Sequence, residues 1–174
     1  MIHTLKSLGG MVVAPHHLAA QAGRDILRNG GNAIEAMVAA AATIAVVYPH
    51  MNAIGGDGFW VIHEPGKAPV AIDACGPAAA LATMDFYAGH KAIPARGPQA
   101  ALTVAGTIGG WIEALKISDT WGGKVALSDL LAEAIRHAQN GVAVSASQSS
   151  LTRQKLEGLI NCPGFADTYL VNGQ

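Results

Sequence analysis

The hydrophobic pattern of this chain is dominated by one run. From Ala33 to Val47 only Glu35 and Thr43 are polar. A helix apolar on every side is a buried helix, and its many alanines leave a thin cylinder that neighbours can approach closely. Asn32 is placed to accept from the first free amides of that helix, with Glu35 at the reciprocal capping position. Pro49 disfavours helical geometry at Tyr48 and ends the run. Gly55, Gly56 and Gly58 then allow a sharp turn. Phe59-Trp60-Val61-Ile62 reads as a buried strand, and Val70 to Asp73 as its antiparallel return across a turn at Glu64–Lys67.

The same reading extends in both directions. Met11 to Ala14 is a short apolar strand closed by Pro15. A helix follows from His16 to Asn29, with Leu18, Ala22, Ile26 and Leu27 on one face. Gly30-Gly31 stops it and Asn32 starts the next, so the two form a hairpin or sharp corner. Residues 78–100 are irregular, with a short helical turn near 83–87. Ala101 to Val104 reads as a further strand. A helix spans 108–121 with Trp111, Ile112, Leu115 and Ile117 inward, and Gly109 and Gly110 imply close packing at its start. Ser128 caps a helix over 129–140, with Leu130, Leu131, Ala134, Ile135 and Ala138 inward, and Gly141 ends it. Ser145 opens a last, more polar helix over 146–159. Asn172-Gly173 has the form of a hairpin turn. No return strand follows it, so the expectation is that residues 1–174 are one N-terminal portion of a longer protein. The mixed elements predict α/β or α+β layers, helices packed on a sheet.

Composition narrows the function classes. About half of the 174 residues are hydrophobic (51%) and 13% are charged, enough for a large core. A net charge of -1 without any basic run argues against a nucleic-acid partner. The 33–47 helix is shorter than the roughly 20 apolar residues a bilayer span needs, which argues against a membrane partner. The first residues contain no long apolar stretch of signal-peptide type, and the two cysteines suit a reducing compartment; both lead to the expectation of a cytoplasmic protein.

Candidate chemistry is sparse. Gly55-Gly56-Asp57-Gly58 resembles a phosphate loop in composition, but phosphate loops run strand, glycines, helix, and here the order is reversed. The remaining readings are a tight turn or the lining of a cleft. His50, beside that turn, is a candidate cleft residue. His16-His17 fits a strand-to-helix junction with a ring nitrogen bonded to backbone. The histidines and cysteines follow no metal-ligand spacing, so no metal or cofactor is expected. Cys75 lacks a local base and reads as a buried structural cysteine. Glu35 and Asp57 read as a helix cap and a turn former. Arg96, in Pro94-Ala95-Arg96-Gly97-Pro98, is either a carboxylate-binding loop arginine or a solvated one.

Several stretches taken in order resemble the large-subunit half of the gamma-glutamyltransferase family. They are Gly10 to His16 running into Ala22-Gly23; Gly30 to Ala36; Tyr48 to Met51 with Ile54 to Phe59; Val104 to Thr107 with Gly109-Gly110; and Leu130 to Ala138 ending in Asn140-Gly141 and Val144-Ser145. The resemblance covers nearly the whole chain. It implies a partial αββα four-layer sandwich of the N-terminal-nucleophile hydrolase type, made as one self-cleaving precursor. The nucleophile would be a threonine freed downstream, in a C-terminal small subunit from the same precursor, so no catalytic residue is assigned within 1–174. The substrate would be a small amide, and a homo-oligomer of such heterodimers is left open. Family members acting on γ-glutamyl groups carry an arginine after the second hairpin strand to hold the substrate's α-carboxylate. Here that stretch reads Asp73-Ala74-Cys75-Gly76-Pro77, without arginine. The expected substrate contacts are therefore Arg96, His50, Gly55, Gly56 and Asp57. The open readings are an amidohydrolase or acyltransferase on a small amide, an oxamate-type amidohydrolase, a true γ-glutamyl transferase or glutathione hydrolase with a relocated carboxylate clamp, and a non-catalytic homologue that binds a small molecule.

Overall fold

The computed structural model describes residues 4–100 and 103–173. In chain order these form α1 (His17–Arg28), α2 (Ala33–Val47), β1 (Gly58–Ile62), β2 (Val70–Ala74), α3 (Thr107–Thr120), α4 (Leu127–Asn140), α5 (Ala146–Leu159) and α6 (Phe165–Tyr169). The chain is a mixed α/β assembly organised on α2, against which α1, α3 and α4 all pack.

The start of α2 is fixed as its sequence dictates. Asn32 Oδ1 accepts from the amides of Ile34 and Glu35 at 3.0 and 3.1 Å, and Glu35 Oε2 accepts from the Asn32 amide at 2.7 Å. Glu35 is only 2% exposed. Its other oxygen accepts from the Val125 amide at 2.9 Å, so one buried carboxylate ties α2 to the α3–α4 connection. Asn32 Nδ2 donates to Ser118 Oγ of α3 at 2.7 Å. A carboxylate this buried is tolerable because its oxygens have amide partners.

The core has two centres. Val38, Ala39 and Ala42 of α2 meet Trp111 of α3 and Leu130 and Ala134 of α4. Ile34, Ile62 and Ala114 form the second, flanked by Trp60, Ile72 and Trp121. Small residues set the spacing: a Cβ added to Gly23 of α1 would lie 2.7 Å from the Ala36 carbonyl oxygen of α2.

β1 and β2 pair antiparallel, Trp60 opposite Ile72 and Val61 opposite Ala71. Trp60 and Ile62 turn toward the helices. Phe59 and Val61, predicted buried, are 70% and 79% exposed. Strand residues alternate faces, and within the described residues only one face is covered.

Other expectations shift. Residues 11–14 alternate in exposure like a strand but pair with no other strand among the described residues. Residues 101–102 of the predicted 101–104 strand lie outside the described residues. Thr103 makes only an isolated bridge to Ala78. α4 begins two residues before its predicted start, and its cap is Ala126 rather than Ser128, with no side-chain bond. Ile112 and Ile135 are half exposed and Ala138 is exposed, because Ala114, Ser118 and His137 hold the inward positions instead. Gly109 is not crowded, whereas Gly110 is packed against Ala74 and Trp60. α6 had no sequence expectation. Ser145 caps α5 as expected, accepting from the Gln148 amide at 3.1 Å. Asn172 and Gly173 have φ of 54° and 79°, as the predicted turn requires. No helix among the described residues is long and apolar enough to cross a membrane.

Candidate functional site

The glycine turn after α2 is fastened through its backbone. The Gly56 carbonyl accepts from the amides of Gly106 and Thr107, each at 3.0 Å, and from Thr107 Oγ1 at 2.8 Å. Asp57 Oδ1 accepts from the Gly76 amide at 3.1 Å. Three chain segments, 56–58, 74–77 and 104–107, therefore meet at close range. Only glycine fits at two of these positions. A Cβ on Gly76 would lie 1.5 Å from the Val104 carbonyl oxygen, and one on Gly106 would lie 2.0 Å from that of Ala74.

This junction is also where Cys75 sits. It was expected to be buried; it is exposed. Asp73 Oδ1 accepts from its amide at 3.0 Å, which holds the turn open and leaves the side chain outside. The neighbouring Asp57 carboxylate, as hydrogen-bond acceptor and as charge, raises the thiol pKa, with desolvation and Asp73 acting in the same direction. The thiol is held protonated, so it is a poor nucleophile. The surroundings are anionic, the opposite of what a substrate carboxylate would require.

His50 lies beyond the Pro49 bend. Its ring meets Tyr48 edge-on at 4.2 Å, and Nε2 lies 3.3 Å from Ser147 Oγ of α5. Nδ1 is buried without a hydrogen-bond partner among the described residues. His16 caps α1 by accepting from the Leu18 amide through Nδ1 at 3.3 Å, the junction role expected of it. Burial lowers its pKa, with repulsion from His17 and His137 adding to the effect.

The five expected substrate contacts do not form one cluster. His50 and Arg96 share a cavity of about 270 Å³ between the Pro49 bend, α5 and α6. Gly55 lines an adjoining apolar groove of about 410 Å³, with Ile54, Trp111 and Leu131. Asp57 lines a third cleft with Trp60 and Thr107, and Gly56 acts through its carbonyl. The glycine turn is held as a backbone junction in this chain, and the cavity holding His50 and Arg96 adjoins the Gly55 groove at Pro49 and Tyr169. Lys155, Gln148 and Thr152 also line that cavity. Sequence reading missed them because α5 looked merely polar, although their helical spacing was visible. Among the described residues no group of three or more His, Cys, Asp and Glu is placed to hold a metal.

Among the described residues this is a mixed α/β scaffold whose glycine turn is held by backbone hydrogen bonds and close glycine packing. The chain belongs to the gamma-glutamyltranspeptidase family, whose model matches residues 19–174. It is 60% identical over 169 residues to the oxamate amidohydrolase proenzyme of Klebsiella pneumoniae, covering 97% of this chain and 32% of that protein. It is 44% identical over 165 residues to the glutathione hydrolase-like YwrD proenzyme of Bacillus subtilis, covering 94% and 31%. The crystal structure of Helicobacter pylori gamma-glutamyltranspeptidase superposes with a TM-score of 0.86 at 31% identity, over 98% of this chain and 49% of that one. The chain thus spans about a third of the length of the curated relatives it matches.

Proposed function

We propose that this chain is the N-terminal part of a self-processing amidohydrolase that acts on a small carboxylated amide of the oxamate type. The observation that carries the reading is the 60% identity to an oxamate amidohydrolase proenzyme, against 44% to a glutathione hydrolase-like one. The local chemistry supports it. Where γ-glutamyl-specific relatives are expected to place an arginine, this chain has Cys75 flanked by Asp57 and Asp73. A buried bidentate guanidinium is not replaced by a thiol between two carboxylates.

In this reading the nucleophile is a threonine freed by cleavage in the downstream subunit. Its hydroxyl oxygen bonds to the amide carbonyl carbon while its own α-amine takes the hydroxyl proton. The C–N bond then breaks and ammonia leaves with that proton. Water attacks the acyl-enzyme ester, releasing the carboxylic acid and regenerating the threonine. The residues described here shape the large-subunit side of the fold. Phe59 and Val61 present an apolar sheet face that suits the second sheet of an αββα sandwich, contributed by the rest of the precursor.

The test is to incubate the purified full-length product and follow it by denaturing electrophoresis, intact mass and ammonia release. Two fragments with an N-terminal threonine, and faster ammonia release from oxamate than from a γ-glutamyl anilide, are expected. An uncleaved, inactive chain would sink the reading. Cleavage with γ-glutamyl preference would restore glutathione hydrolysis.

A further inference from the structure

The cavity that joins His50 to Arg96 has the composition of an anion site. Gln148, Thr152, Lys155 and Leu159 recur at helical spacing along α5 and line it. Phe165 and Tyr169 of α6, stacked at 5.6 Å, provide apolar wall. Among the described residues no Asp or Glu lines it.

Arg96 reaches α5 at Gly158. A Cβ added there would lie 1.7 Å from Arg96 Nη1. Glycine inside the last turn of a helix weakens that helix. Here the missing side chain leaves the space the guanidinium occupies. Arg24, Lys67, Lys116 and Arg136 each pair with a carboxylate. Among the described residues Arg96 and Lys155 do not, nor do Lys6, Arg28, Lys91, Lys124 and Arg153; what sets Arg96 and Lys155 apart is that they line one cavity. Two cations lining one concave surface repel each other, and an anion held between them relieves that repulsion.

We propose that this cavity binds a small organic carboxylate. The Arg96 guanidinium takes the carboxylate through its planar fork, and Lys155 adds a second charge. Gln148 and Thr152 supply further polar contacts. Leu159 and Phe165 accommodate the carbon body, which distinguishes an organic acid from inorganic phosphate. The site is defined by binding, so it stands or falls separately from the reaction assigned above. The rival explanation is structural: α5 has no basic residue in its own last turn, and Arg96 could serve only as the cation that favours a helix C-terminus.

The experiment is calorimetric titration of the full-length, processed protein with oxalate, butyrate and inorganic phosphate, each repeated on three variants. A carboxylate should bind more tightly than phosphate. Arg96→Gln should weaken it about tenfold or more, and Lys155→Gln several-fold. Gly158→Ala keeps every charge but displaces the guanidinium. It should weaken carboxylate binding several-fold without lowering the thermal midpoint. Inhibition that competes with the turned-over amide would identify the ligand as substrate or product, and non-competitive inhibition a separate effector; either supports the site. Failure of both carboxylates to bind would overturn the proposal. So would carboxylate affinity unchanged in Arg96→Gln and Gly158→Ala, with Arg96→Gln lowering only the midpoint.

Discussion

α2 and α5 are almost the same length, 15 and 14 residues, and each is opened by a side-chain cap. Nine residues of α2 are buried and none of α5. The caps set where a helix starts; they do not set what it is for. α2 is held by apolar contact with three other helices, and its one buried charge, Glu35, is fully engaged. Among the described residues the α5 cations, Arg153 and Lys155, have no carboxylate partner, and α5 forms the wall of a cavity. One helix is a pole for the fold and the other a surface for chemistry, so perturbing them should have different consequences.

The largest effect should come from the junction that the α2 bend reaches. Gly76→Ala puts a Cβ against a backbone carbonyl that cannot move independently of Gly106, and should cost about 3 kcal/mol or more by urea unfolding of the full-length protein. Glu35→Ala comes next. It leaves the part-buried amides of Asn32 and Val125 without their acceptor and should cost about 2 kcal/mol. Equal stability of this variant and wild type would mean that α2 does not depend on its capping network.

His16 gives a smaller, pH-dependent effect. Its folded-state pKa lies below the ordinary 6.5, because burial and two nearby histidines disfavour the cation. The neutral ring accepts the Leu18 amide, and the protonated ring cannot. The contribution is therefore present above about pH 6.5 and declines as the pH falls toward the lower folded value. Loss of this cap should cost about 1 kcal/mol. His16→Ala should show that loss at pH 8 and a flatter stability profile between pH 7 and 5. The smallest effect is a gain: Gly158→Ala should stabilise α5 by about 0.5–1 kcal/mol, seen as slower amide exchange in that helix.

Much of the fold was legible because its signals are local. The Asn32–Glu35 box, the Pro49 stop, the hairpin across Glu64–Lys67 and the Ser145 cap involve residues a few positions apart, and each was found where expected. Faces were less legible. Ile112 and Ile135 are as hydrophobic as true core residues, and only the position of α2 decides that they are half exposed while Ala114 is the residue packed against it. The candidate site was half legible. His50 and Arg96 were singled out for separate reasons, and the chain gives no hint that α5 brings them to one cavity with Lys155. Asp57 was read both as a turn former and as a substrate contact. Its carboxylate also bonds the Gly76 amide, a partner that no sequence window contains.

The sequence by itself determined the capped start and Pro49 stop of α2, the Ser145 start of α5, the hairpin and the family, because caps, glycines and ordered motifs act over short distances. Tertiary structure alone decided which cations share a cavity, that Cys75 faces outward beside two carboxylates, why Gly76 and Gly106 must lack a side chain, and that Gly158 leaves room for the Arg96 guanidinium. Those outcomes depend on distances between segments far apart in the chain. Such distances are set by how closely an alanine-rich helix lets its neighbours approach.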